Sequence, residues 1–231
     1  MCISKSSGVL QLSGLLPLDL VYSEYHSEAL GGVWEKHHSE FCEFIISNSS
    51  GHSITEIGGS NCRLAELCLE QNPSFKWRIV EPNAPVNNHE NIEIHNAFIE
   101  DKLDLISSSD TIVHSHVLEH LYDPVEFIEK MSKGQSSGDR LIFSVPNLLS
   151  YLEEKFVNTL NFEHTYFLTD EVVMYMLQRF SYRLLNKKYF RNHSIFYVFE
   201  KTDLKSPPSI GLENFYERNK SLYLNMISMF L

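Results

Sequence analysis

The chain has 231 residues, 43% of them apolar, which suits one domain of ordinary size with an appendage and a core that holds without covalent staples. Its four cysteines, Cys2, Cys42, Cys62 and Cys68, form no C-x-x-C pair and no secreted-type framework, so free thiols in a reducing compartment are expected. A formal net charge of -11 argues against a nucleic-acid partner, whose phosphates favour a basic face.

The first apolar run, Gly8 to Tyr22, is interrupted by Gln11, Pro17 and Asp19 and has no clean small-residue cleavage site, so it does not read as a signal peptide. No stretch approaches the roughly 18 apolar residues of a membrane span. The expectation is a soluble, cytoplasmic protein. After Pro17, apolar positions recur at three-to-four spacing through Leu20, Tyr22, Tyr25, Val33, Trp34, His37, Phe41, Phe44 and Ile45. That spacing predicts two helices broken at Gly31-Gly32, and residues 1–50 are expected to form a helical N-terminal cap. Most of these side chains read as helix-to-sheet packing. Tyr22, Tyr25 and His26 differ, because polar aromatics near a glycine break suit a small-molecule acceptor site.

The stretch from Ser53 to Glu81 carries the most information. A short apolar strand, Ser53 to Ile57, meets a Gly-Gly-Ser turn at Gly58 to Ser60, and an amphipathic helix follows with Leu64, Leu67 and Cys68 on one face. A second strand, Trp77 to Val80, ends on Glu81. Such a βαβ unit brings backbone N–H groups at a helix start close to a ligand, while the acid accepts hydrogen bonds from ribose hydroxyls. A nucleoside-containing cofactor is expected. The dinucleotide pattern G-x-G-x-x-G fits poorly from Gly58, since its later positions fall on Ser60 and Arg63. In the pattern E-x-G-x-G-x-G, Glu56 and Gly58 fill the first two fixed positions, and small residues, Ser60 and Cys62, stand at the other two. A side chain is tolerated there if the backbone does not need positive φ. On these residues the chain resembles the class I S-adenosylmethionine (SAM) methyltransferases. The resemblance implies SAM as cofactor and S-adenosylhomocysteine as product, held by Glu56, Gly58, Gly59, Ser60, Glu81 and Pro82.

A third strand is expected at Ile92 to His95, followed by Ala97 and Phe98, where this fold meets adenine. The fourth strand, Thr111 to Ser115, leads into SHVLEHLYDP, in which Asp123-Pro124 suits a helix start. That run is similar to the segment after the fourth strand in SAM methyltransferases of the sugar and small-molecule group, which places Ser115 and His116 beside the cofactor. A fifth strand, Arg140 to Val145, precedes an insertion at 147–168, where the family keeps acceptor-binding elements; Asn147 and Tyr166 are candidates for that role. Within it, NFEHTYFLT resembles the Tyr-x-Glu-His run of bacterial sugar C-methyltransferases that act on nucleotide-linked sugars. Glu163, His164, Tyr166, Phe167 and Thr169 match, but Asn161 replaces the tyrosine, which shifts the expectation from carbon to oxygen methylation. The N-terminal GVLQL run and residues 34–38 resemble that family's link from its zinc-binding domain, whose cysteines are missing here. A helix from Thr169 to Phe180 and strands at Tyr182 to Phe190 and Ser194 to Glu200 complete the pattern.

Residues 51–202 are thus expected to form a Rossmann-like α/β domain of the class I methyltransferase type. Its sheet should have seven mostly parallel strands with an antiparallel last strand. Residues 203–231 read as a linker with Pro207-Pro208 and a helix whose apolar stripe docks on its own domain or makes a homodimer.

Methyl transfer from a sulfonium is an in-line displacement, so positioning dominates and no metal is required. An alcohol acceptor needs a general base. His164, and after it His120, are the candidates, because both fall on loops at the carboxyl ends of strands. The resemblance puts matching histidines in the active site, with Glu163 accepting an imidazole N–H to fix the tautomer. Two other readings stay open: an NAD(P)-dependent oxidoreductase, and a non-catalytic methyltransferase-like partner subunit. A metal hydrolase built on His114-x-His116 and His37-His38 lacks further ligands at a recognisable spacing.

Overall fold

The structure is a computed structural model that describes residues 1–17, 31–156, 161, 163–204, 208, 211–212 and 215–228. In chain order its elements are β1 (Cys2–Ile3), β2 (Leu10–Gln11), α1 (Gly32–Asn48), β3 (Ser53–Ile57), α2 (Arg63–Gln71), β4 (Lys76–Val80), β5 (Ile92–His95), α3 (Leu103–Ser107) and β6 (Thr111–Ser115). There follow α4 (Pro124–Gly134), β7 (Arg140–Pro146), α5 (Leu148–Glu153), β8 (Tyr166–Phe167), α6 (Asp170–Arg179), β9 (Tyr182–Phe190), β10 (Ser194–Lys201) and α7 (Phe215–Ile227). Two short 3₁₀ turns lie at Ile99–Asp101 and Leu118–His120.

Seven strands make one sheet in the order β5-β4-β3-β6-β7-β10-β9. The five strands from β3 to β7 are parallel, and β10 runs antiparallel to both β7 and β9. Only β10 is therefore reversed, because a tight connection at Arg191 to His193 joins it to β9 as a hairpin, whereas the helical crossovers keep the earlier strands parallel.

Apolar residues alternate across the pleat and feed two cores. Ile112, Leu141, Phe143, Tyr197 and Phe199 face α3, α4 and α6, while Ile54, Val113, Ile142, Phe196 and Val198 face α1 and α2. Each buried large side chain contributes roughly 1.5–3 kcal/mol, so both faces of the sheet are held by their helices. Helix α4 starts as its sequence suggests: Pro124 occupies the first turn and the Asp123 carboxylate accepts the Glu126 N–H at 2.8 Å.

The N-terminal segment departs from expectation. Among the described residues of 1–50 only α1 is helical; β1 and β2 instead pair with β8 in a three-stranded sheet. Leu10 and Phe167 from that sheet join Leu148, Leu152 and Met226 in a third, smaller core. Helix α7 closes this core from the chain's own C-terminus. The Asn219 side chain donates to the Gly8 carbonyl at 2.9 Å, and Arg218 reaches both Glu171 oxygens, at 2.7 and 3.2 Å. Gly8 sits at φ 69°, and a Cβ there would lie 2.6 Å from the Phe215 carbonyl carbon, so only glycine permits this approach. No helix among the described residues is long and apolar enough to cross a membrane.

Candidate functional site

The carboxyl ends of β3, β4, β5 and β6 open on one side of the sheet, and two groups of polar residues gather there. The first surrounds the turn from β3 into α2. Gly58 adopts φ 75°, Ser60 41° and Cys62 68°, so the chain enters α2 through repeated left-handed residues. A Cβ on Gly58 would lie 2.6 Å from Val117 Cγ2, and one on Gly59 would lie 2.6 Å from Ile79 Cγ2. Both glycines are fixed by close approach. Beneath the turn Glu56 is 2% exposed and accepts the Trp77 indole N–H at 2.8 Å. Burial pushes its carboxyl up to about 7, opposed by that hydrogen bond and reinforced by the Glu81 charge. Glu81, half-buried at the end of β4, accepts the Asn83 N–H at 3.1 Å, which orients the carboxylate in the turn. Beyond β5, Ala97 is half-buried and Phe98 is 41% exposed, an aromatic face presented at a strand end.

The second group lies past β6 and against the segment before β8. The His120 and His164 rings meet edge to face with centroids 4.9 Å apart, and His120 Nδ1 lies 3.1 Å from the Glu163 carbonyl oxygen. The Thr165 N–H donates to the Glu119 carbonyl at 2.8 Å and its hydroxyl to the Leu121 carbonyl at 2.5 Å, and so they tie this segment to the 3₁₀ turn. Glu119 itself is 2% exposed, and neither carboxylate oxygen accepts a hydrogen bond. His116 Nδ1 comes within 3.0 Å of its Oε1 but out of hydrogen-bonding alignment. Burial raises the Glu119 carboxyl and lowers the His120 imidazole, so a neutral form of each is favoured. A cavity of about 10 Å³ opens here between Glu119, Tyr151, His164, Tyr166 and the start of α5. Burial, with the Glu119 charge behind it, pushes Tyr151 up to about 12.

No protein-family profile matches the chain, and no curated protein matches it. Solved structures do. Human N-acetylserotonin methyltransferase in complex with SAM aligns with TM-score 0.57 and 15% identity, over 74% of this chain and 53% of that one. The N-methyltransferase NodS from Bradyrhizobium japonicum WM9 with S-adenosylhomocysteine aligns with TM-score 0.56 and 13% identity, over 79% and 97%. An S-adenosylmethionine-dependent methyltransferase described as putative in Listeria monocytogenes gives 0.57 and 10%, over 73% and 100%. The chain thus spans about half the length of the human enzyme. The fold is that of the class I SAM-dependent methyltransferases.

In this methyltransferase fold the expected site residues fall into three sets. Gly58, Gly59, Ser60, Glu81, Pro82, Ala97 and Phe98 gather around the carboxyl ends of β3, β4 and β5. Glu56 lies under the turn rather than in the opening. At Ser60 and Cys62 the condition for an unstrained side chain is not met, because both carry positive φ. His116 was expected beside the cofactor. Its Nε2 bonds Ser194 Oγ at 2.8 Å and its ring packs on Trp34 at 4.9 Å, while Val117 is the side chain lying over Gly58. Ser115 pairs with Ser144 through their hydroxyls at 3.0 Å.

Of the residues expected around the acceptor, His120, His164 and Tyr166 come together, and Asn147 stands at the N-cap position of α5 with its N–H donating to the His193 carbonyl at 3.0 Å. His120 Nδ1 donates to the Glu163 main-chain carbonyl, where a bond to the Glu163 carboxylate was the expectation. Tyr22, Tyr25 and His26 lie outside the described residues. His114 is buried and stacked on Phe143, with burial pushing it down to about 3, so a His114-x-His116 ligand pair does not form. Glu119, Tyr151 and Val117 were not singled out from sequence. The one available signal was the position of Glu119 within the E-H-L-x-D-P run, next to a chosen histidine.

Proposed function

We propose that this chain is a SAM-dependent methyltransferase that methylates a hydroxyl of a small acceptor of the sugar or nucleotide-sugar class. The observation that carries the reading is one juxtaposition. A glycine-lined, left-handed turn into α2 and a fixed carboxylate at the end of β4 lie on the same side of the sheet as two imidazoles and a buried carboxylate beyond β6. The first pair suits a nucleoside: the turn lets the backbone approach the methionine end, Glu81 takes the ribose hydroxyls, and Phe98 lies along the base. Aligned structures carry names that include SAM and S-adenosylhomocysteine, which supports the choice of cofactor.

The second group supplies what a hydroxyl acceptor lacks, a means of losing its proton as the methyl carbon is attacked. His164 takes that proton. His120, held by the Glu163 carbonyl, positions it. Tyr166 and Asn147 then line the acceptor side, and Asn161 in the tyrosine position favours oxygen over carbon as the methylated atom.

Isothermal titration with SAM, S-adenosylhomocysteine and NAD tests the cofactor. Binding of the two adenosyl-sulfur compounds and not of NAD is expected, with Glu81→Ala weakening both at least about tenfold through lost hydrogen bonds to the ribose. Binding of NAD alone indicates an oxidoreductase, and binding of none indicates a non-catalytic relative. Methyl transfer to a panel of nucleotide sugars tests the acceptor, with His164→Ala expected to lower kcat by about 10²–10⁴ while SAM affinity is unchanged.

A further inference from the structure

Three potential ligand atoms, one each from Glu119, His120 and His164, lie within 4.8 Å of one another beyond the end of β6. Glu119 is 2% exposed, and neither of its carboxylate oxygens accepts an aligned hydrogen bond, His116 Nδ1 at 3.0 Å from Oε1 being its one close ring nitrogen among the described contacts. A carboxylate enclosed in this way needs either a proton or a cation. The cavity it lines is about 10 Å³, near the space of a single water or ion. His120 already has the arrangement of a ligating histidine. Its Nδ1 lies 3.1 Å from the Glu163 carbonyl oxygen, which can only accept, so Nδ1 carries the hydrogen and Nε2 keeps its lone pair. Metal-bound histidines are held and turned by this kind of backbone contact.

We propose that Glu119, His120 and His164 form a binding site for one divalent first-row transition cation, of the zinc class, with open coordination positions on the acceptor side. Two imidazoles and one carboxylate are a donor set that selects such ions over magnesium or calcium, which favour all-oxygen surroundings. The site itself is independent of the methyl-transfer reading, but its chemical role rests on that reading.

With the cation bound, the acceptor hydroxyl occupies an open position and its proton is acidified. The proton passes to the Glu119 oxygen that does not hold the cation. The resulting alkoxide forms an O–C bond to the SAM methyl carbon as the C–S bond breaks, with its electron pair left on sulfur. The products are the methyl ether and S-adenosylhomocysteine, and the Glu119 proton then leaves to water. His164 is in this form a ligand, and the proton goes to Glu119 instead.

The test titrates the chelator-treated full chain with Co²⁺, read by visible d–d absorption, and with Zn²⁺, read by calorimetry. One equivalent of either at micromolar affinity or tighter is expected in the wild type. Glu119→Gln and His164→Ala should each weaken binding at least tenfold, while His52→Gln, on an exposed histidine far along the sheet, should leave it unchanged. Equal binding by wild type and the site variants, or no stoichiometric binding, overturns the proposal. Should the variants fail to fold, the wild type still decides. Co²⁺ must shift the imidazole NMR signals of His120 and His164, and shifts confined to other histidines overturn the assignment. SAM affinity is measured on the same samples. Loss of the metal with SAM binding intact refutes only this site, whereas absent SAM binding refutes the proposed function and leaves the metal question answered separately.

Discussion

At the scale of single residues, the turn from β3 into α2 combines freedom and strain. Gly58 and Gly59 are required by contacts to Val117 and Ile79, yet Ser60 and Cys62 hold positive φ with side chains attached. A left-handed conformation costs an L-residue about 1–2 kcal/mol relative to glycine, and such strain persists only where surrounding packing dictates it. Ser60→Gly is expected to raise stability by up to about 1 kcal/mol, seen as a higher urea midpoint with an unchanged slope. A lower midpoint would mean that the serine's own contacts outweigh the strain. Glu56 stores a second tension. Its carboxyl titrates near 7 when folded and at 4.5 as a free side chain, so the folded state prefers the protonated form. The stability it contributes is complete below pH 4.5 and is lost as pH rises through 7. Glu56→Gln keeps an acceptor for the Trp77 N–H and removes the charge. The variant should match wild type at pH 4.5 and exceed it at pH 8 by at most about 3 kcal/mol, measured by chemical denaturation at the two pH values.

Among elements, the parallel strands were legible because each is a run of four to seven residues bounded by small or turn-forming residues. Ser53 to Ile57, Ile92 to His95 and Thr111 to Ser115 were read with the bounds the structure gives them. The small sheet was not legible. Its strands are two residues long, too short for any alternation, and Leu10 finds Phe167 only through folding of the whole chain. The cluster beyond β6 shows the same limit. His120 and Glu163 are 43 residues apart, and neither the enclosure of Glu119 nor the contact of His120 with the Glu163 main chain leaves a trace in residue spacing. Helix α7 has a readable apolar stripe, but what it meets is tertiary: Leu222, Tyr223, Met226 and Ile227 pack on the third core. Its anchor is Asn219, fully buried, donating to the carbonyl of Gly8. Asn219→Ala leaves that carbonyl without a donor and opens space at the helix contact, which should cost about 1–3 kcal/mol. Hydrogen exchange should then rise in α7 and β2 together and stay unchanged in β3 and β4. Uniform loosening across the main sheet would show that the small sheet is no separate unit.

The molecule as a whole buries an unusual set of titratable groups behind an acidic surface, and their signs oppose. Burial drives His37, His114, His116 and His120 toward neutrality, His114 down to about 3. Each binds its proton in the unfolded chain below about pH 6.5 and not in the folded one, so each contributes stability above 6.5 that is lost as pH falls toward its folded value. Glu56 and Glu119 act the other way, because burial raises both, and they favour the folded state at low pH. Between pH 6.5 and 4.5 the two sets partly cancel. Below 4.5 the raised carboxyls are protonated in both states, and the histidines act without that opposition. Each histidine that is neutral when folded and charged when unfolded removes about 1.4 kcal/mol per pH unit. Urea midpoints should therefore fall gently from pH 6.5 to 4.5 and steeply below it, and His114→Phe, which keeps the ring stacked on Phe143, should lessen the steep part. A midpoint independent of pH down to 4 would mean that water reaches these rings, and the burial of His114 against Phe143 described above would be wrong.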